Sequence, residues 1–159
     1  MFMPKYATAA VPRYTSYPPA TQFGDGVGER DYRQWLAALG ADDSLSIYVH
    51  IPFCRALCWY CGCHTTVPNR EDRIDDYIAA LRTEIVRVGA RVPRAARVRH
   101  VHFGGGTPNA LAPAVLAGLI DLLGETLSFE PDAELAVELD PRSVTDGHLA
   151  VLASFGRTR

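Results

Sequence analysis

From residue 45 onward the hydrophobic positions switch repeatedly between a period of two and a period of about 3.6. Residues 45–53 (LSIYVHIPF) are rich in β-branched and aromatic side chains, end at Pro52 and a cysteine loop, and predict a buried strand. Ile74, Tyr77, Ile78, Leu81, Ile85 and Val88 then share one face of a long amphipathic helix. Its opening Glu71 and Asp72 suit the positive end of the helix dipole. A strand over 98–103, a glycine-rich turn, a helix over 113–127, a strand over 134–139 and a helix over 145–155 complete a βαβαβα order. Upstream, Tyr32, Trp35, Leu36 and Leu39 mark a short helix stopped by Gly40. Strands and helices alternating at this length predict parallel pairing through right-handed crossovers, in an open doubly wound sheet or in part of an α/β barrel.

The strands themselves favour the barrel. Parallel strands covered on both faces read as unbroken apolar runs, whereas these alternate. Ile47, Val49 and Ile51 interleave with Ser46, Tyr48 and His50; Val101 and Phe103 with His100 and His102; Leu135, Val137 and Leu139 with Glu134, Ala136 and Glu138. With the apolar set against helices, Tyr48, His50, His100, His102 and Glu138 line the other face, as in a barrel that holds a ligand. The plainer alternative is a set of hydrogen-bonded or solvated polar groups with no ligand.

Composition narrows the setting. The chain has 159 residues, 48% of them hydrophobic, enough for one domain with a sizeable core. Its 16 basic and 18 acidic residues leave a net charge of −2, with no basic patch for nucleic acid or an acidic membrane. The first twenty residues are broken by Pro4, Pro12, Pro18 and Pro19 and contain neither a signal peptide nor a membrane span, so the expected location is the cytoplasm.

All four cysteines fall in CRALCWYCGC, as Cys54, Cys58, Cys61 and Cys63, directly after the first strand. They are too closely bunched to staple distant segments, and metal or redox chemistry in a reducing compartment fits better. Three thiolates within eight residues can hold one corner of an iron–sulfur cubane and leave one iron without a protein ligand. A four-cysteine zinc site is the alternative, but such sites usually join two separated knuckles. Gly104, Gly105 and Gly106, followed by Thr107 and Pro108, sit at the end of the second strand, where glycine lets backbone N–H groups approach a ligand; a simple tight turn is the alternative. Glu138 follows at the end of the third strand, as a carboxylate able to accept from ribose hydroxyls or as a salt-bridge partner or strand-end cap, and Asp140 reads as a turn residue before Pro141. Ligand sites of parallel α/β folds lie at these carboxyl ends.

The C-x3-C-x2-C loop after a first strand, with GGGTP after the second, resembles the radical S-adenosylmethionine superfamily. Within it, PRYTSYPPA (12–20), YVHIPFCRALCWYCGC (48–63), HFGGGTP (102–108) and ELDPR (138–142) are similar to the oxygen-independent coproporphyrinogen III oxidase family. Related haem chaperones of the superfamily, which bind haem without decarboxylating anything, typically carry Phe where Cys63 stands and lack the PRYTSYP lead.

The resemblance implies that Cys54, Cys58 and Cys61 ligate a [4Fe-4S] cluster and that Cys63 stands outside it. It further implies that Tyr48, Tyr60, Gly105 and Glu138 contact S-adenosylmethionine on the open iron, and that Gly106 and Thr107 contact a second molecule of it. The implied activity is oxidative decarboxylation of two propionates of coproporphyrinogen III to vinyls, giving protoporphyrinogen IX in haem biosynthesis. Its other partner is a reducing electron donor. The implied fold is the first three βα units of a partial six-strand (β/α)6 radical-SAM barrel (45–159), after an amino-terminal extension with a short helix (1–44). Against that pattern the sequence stops at FGRTR, where a fourth strand is due. The expectation is therefore an incomplete barrel, inactive alone, from a protein that is monomeric when complete.

Overall fold

The computed structural model describes residues 19–70 and 72–155. The PRYTSYP lead, the first acidic residue of the long helix, Glu71, and the last four residues lie outside this set. After a 3₁₀ turn at Ala20–Gln22, the elements are α1 (Glu29–Ala38), β1 (Ser44–Ile51), α2 (Asp72–Gly89) and β2 (Arg97–Gly105). A second 3₁₀ turn (Pro108–Ala110) leads to α3 (Pro113–Thr126), β3 (Phe129–Val137) and α4 (Asp146–Ser154). The strands form one parallel sheet in the order β1-β2-β3.

Each strand buries its odd-numbered positions near the carboxyl end. Val49, Ile51, Val101, Phe103 and Leu135 pack with Ile78 and Ile85 of α2, Leu116, Leu119 and Leu123 of α3, and Leu152 of α4. A doubly wound sheet would place helices on both faces; here α2, α3 and α4 share a single core with the apolar face. The opposite face is polar and open, as the alternation predicts.

Two irregularities refine the register. Between Leu45 and Ser46 the β1–β2 pairing shifts, so that Arg99 is an extra residue in β2. This bulge re-phases the strand and lets both Val98 and Val101 enter the core although they are three positions apart. Farther along, a two-residue advance on β2, from Val98 to His100, corresponds to a five-residue advance on β3, from Phe129 to Glu134.

The boundaries of β3 therefore correct the sequence-based expectation: the strand begins five residues before residue 134 and stops at Val137. Pro131 and Asp132 suggest a turn, but Pro is tolerated where a strand is irregular or on an edge, and β3 is an edge among the described strands. Gly104 and Gly105 likewise belong to β2 and not to a turn. Helix α1 starts three residues earlier than its apolar spacing shows, because Asp31 Oδ2 accepts the Gly28 N–H at 2.9 Å and caps it.

At α4, Thr145 and His148 form a reciprocal cap. The Thr145 N–H donates to His148 Nδ1 at 3.2 Å, and His148 Nε2 reaches the Leu111 carbonyl at 2.9 Å. That carbonyl can only accept, so the neutral ring carries its proton on Nε2. The buried His148 thereby ties the last helix to the turn after the glycines. No described helix is long and apolar enough to cross a membrane.

Candidate functional site

The cysteine loop grows from the end of β1 and is closed at its base by backbone pairing. Phe53 is buried and meets Tyr77 edge-on at 5.3 Å between ring centroids, which holds the loop's first residues against α2. Phe53 bridges Thr66 in parallel; the Cys54 N–H donates to the Thr66 carbonyl at 3.0 Å, and the Thr66 N–H to the Pro52 carbonyl at 2.8 Å. Inside this clasp a turn links the Cys61 N–H to the Cys58 carbonyl at 3.0 Å.

β2 delivers the glycines beside that base. The Gly106 N–H donates to the Ile51 carbonyl and the Thr107 N–H to the Phe53 carbonyl, both at 2.8 Å. A Cβ on Gly106 would collide with the Thr65 hydroxyl and lie 2.6 Å from the Phe53 carbonyl oxygen, so the two loops meet at a distance only glycine permits. Gly105 has φ +111°, and a Cβ there would lie 2.6 Å from the His50 ring. Cys54, half buried, has a hydroxyl on either side: Thr65 Oγ1 at 3.2 Å, and Thr107 Oγ1, which accepts from the thiol, at 3.7 Å.

The polar face continues from these glycines. Glu138, one residue past β3, pairs through Oε1 with His102 Nε2 at 3.2 Å and accepts the Gly105 N–H on Oε2 at 3.3 Å. Tyr48 lies between His50 and His102, with ring centroids 5.8 and 5.6 Å away. His50 Nε2 reaches the His64 carbonyl at 3.0 Å, so in the neutral ring Nδ1 accepts from the Tyr48 hydroxyl at 3.1 Å. Partial burial, then the charges of Glu138 and Cys63, push the Tyr48 phenol above its ordinary range, so it remains a donor at neutral pH. Local desolvation, followed by the charges of Cys61, Glu138 and Cys54 and a hydrogen bond to Cys61, raises the Cys63 thiol, although Cys63 is exposed.

The structure thus brings Tyr48, Gly105 and Glu138 together, sets Thr107 against Cys54 and sets Gly106 against Phe53 and Thr65. It leaves Tyr60 apart: the ring is exposed, and among the described residues no hydrogen bond or ring contact joins it to Tyr48 or Glu138. Cys58 is half buried and Cys61 exposed. Among the described residues no three His, Cys, Asp or Glu side chains converge as ligands of a single ion would.

Four contributors are not evident from the sequence pattern. Thr65 contacts Cys54, and His64 orients His50. Asn109, completely buried directly after GGGTP, accepts the Asp140 N–H on Oδ1 at 2.9 Å and donates from Nδ2 to the Asp140 carbonyl and Ser143 Oγ, both at 3.0 Å. Arg142 pairs with Asp140, whose carboxyl is lowered to about 2 by the Arg142 side-chain hydrogen bonds, then by the Arg142 backbone N–H. The Asp140 carboxylate accepting the N–H two residues on is the turn expected of this position. The only sequence signal for Asn109 and Arg142 is their position inside or next to the two recognised motifs.

A thiol-rich loop after the first strand of a parallel sheet, meeting glycines after the second and a carboxylate after the third, defines a class. The chain belongs to the radical SAM superfamily, whose family model matches residues 48–159. Its relatives are more particular. The chain is 46% identical to an oxygen-independent coproporphyrinogen III oxidase of Bradyrhizobium diazoefficiens, over 97% of this chain and 34% of that protein. It is 44% identical to the protein of the same name from Escherichia coli, over 84% and 29%. It also superposes on a solved structure of coproporphyrinogen III oxidase (HemN) from Escherichia coli, described as a radical SAM enzyme, with a TM-score of 0.80 and 40% identity, covering 91% of this chain and 33% of that one. The chain spans about a third of the length of these relatives.

Proposed function

We propose that this chain is the cluster- and S-adenosylmethionine-binding portion of an oxygen-independent coproporphyrinogen III oxidase acting in the cytoplasm. The observation that carries this reading is the 46% identity to a protein of that name across 97% of the chain. Coproporphyrinogen III is then the substrate, two of its propionates leaving as CO2 to give vinyls, and a reducing protein or cofactor supplies electrons.

The residues present fit the cofactors. Cys54, Cys58 and Cys61 are free thiols on one loop, the donor set that iron–sulfur clusters take. Beside them, Gly105 and Gly106 let the end of β2 approach His50 and the base of the cysteine loop more closely than any side chain would permit. Cys54, Cys58 and Cys61 would hold the [4Fe-4S] cluster; Tyr48, Tyr60, Gly105 and Glu138 one S-adenosylmethionine; Gly106 and Thr107 a second. When bound, this pair supplies a carbon radical able to take hydrogen from the propionate β-carbon.

The protein's own residues orient and exclude. The Tyr48 hydroxyl, kept protonated, donates but does not act as a base. Glu138, fixed by His102 and the Gly105 N–H, presents an acceptor at the strand end. The Thr65 and Thr107 hydroxyls hold the Cys54 sulfur between the cysteine loop and the turn after β2.

Anaerobic reconstitution with iron and sulfide tests the reading directly. The chain should turn brown and hold about four irons and four sulfides; Cys58→Ala should lose the cluster. A colourless chain holding one zinc, or stable haem uptake with no cluster, would overturn it.

A further inference from the structure

Arg142 is outside the proposed ligand set, yet the fold aims it at one of those ligands. Its Nη2 lies 3.9 Å from Cys58 Sγ, across a sequence separation of 84 residues. The aim is fixed at each joint. Asp140 grips the guanidinium in a fork, Oδ1 to Nε at 2.9 Å and Oδ2 to Nη2 at 2.8 Å, and accepts the Arg142 N–H at 3.0 Å. Asp140 is in turn pinned through its own backbone N–H and carbonyl by the buried Asn109 amide. Asn109 follows the glycine motif, so a continuous set of hydrogen bonds runs from the β2 loop through the β3 loop to the cysteine loop.

We propose that Arg142 is a positioning and charge-tuning residue for the cluster that Cys54, Cys58 and Cys61 would hold, donating a hydrogen bond to the Cys58 sulfur and raising the cluster's reduction potential. This rests on the ligand set proposed above. Hydrogen bonds to ligand sulfurs and nearby charge are established determinants of such potentials. Reduction adds one electron and one negative charge, which a permanent cation at the sulfur favours. Arginine suits the place because its fork engages Asp140 through Nε and Nη2 while Nη2 also faces sulfur. A lysine ammonium keeps the charge but cannot span both in a fixed plane.

The test is an anaerobic redox titration with dithionite, read by electron paramagnetic resonance, on the reconstituted chain and its Arg142→Gln and Arg142→Lys variants. The expected result is a lower potential in Arg142→Gln, by roughly a tenfold change in the one-electron equilibrium or about 59 mV, with Arg142→Lys between it and the unaltered chain. Coincident potentials in all three would overturn the assignment and leave the cluster reading standing. Failure of the unaltered chain to take up a cluster would overturn both. Should Arg142→Gln assemble no cluster, Arg142→Lys decides alone: a lowered potential supports the role and an unchanged one removes it.

Discussion

On one face of the sheet Val49, Val101 and Leu135 are 4%, 2% and 0% exposed; one residue away along the chain, Tyr48 is 57% exposed and the His102 side chain 42%. The same three strands carry both sets. The apolar set is fastened by three helices and specifies the sheet, whereas the polar set is fastened to itself, by the Tyr48–His50, His102–Glu138 and Gly105–Glu138 contacts. The core and the proposed site thereby lie on opposite sides of one layer, so each side can be altered with little direct cost to the other.

Substitutions probe how strict that division is. Phe103→Ala, which empties a fully buried ring position between the strands and helices, should cost about 3–5 kcal/mol in chemical denaturation. A loss near zero would mean that the buried face does not hold the sheet. Gly105→Ala lies at the border of the two sides: a side chain at φ +111° and within 2.6 Å of His50 should cost about 1–3 kcal/mol and displace that ring, visible as a shift of the His50 resonances. Unchanged stability and resonances would show that the glycine is a convenience. His102→Ala, on the open face, should change stability by no more than about 0.5 kcal/mol while weakening S-adenosylmethionine binding measured by calorimetry on the reconstituted chain. A large stability loss there would erase the distinction between the faces.

Much of this layout was legible beforehand because alternation reports directly on which side of a strand is covered. The phase of Ile47, Val49 and Ile51 against Tyr48 and His50 assigned both faces correctly, and the long helix on Ile78 and Ile85 fell where its spacing put it. What the pattern hides is irregular pairing. The bulge at Arg99 and the wide register shift before Glu134 depend on how two strands fit, and neither strand's own sequence carries that information; hence the start of β3 was misplaced. The same holds for Asn109 and Arg142. Each looks like an ordinary loop residue until the fold brings the loops after β2 and β3 against one another. Tyr60, by contrast, is legible only through family resemblance, and its exposed position in this structure adds nothing to it.

The distance along the chain between the thiols and their neighbours has a consequence in time. Cys54, Cys58, Cys61 and Cys63 lie within ten residues of one another even in an unfolded chain, but Thr107 is 53 residues from Cys54 and Arg142 is 84 from Cys58. Parallel pairing must close those long loops before it is rewarded, which makes such contacts slow to form. During synthesis and refolding the sulfurs are therefore mutually close before their hydroxyl and guanidinium neighbours arrive. In that interval they are most open to oxidation and mispairing, and a reducing environment protects the nascent chain as much as the finished fold.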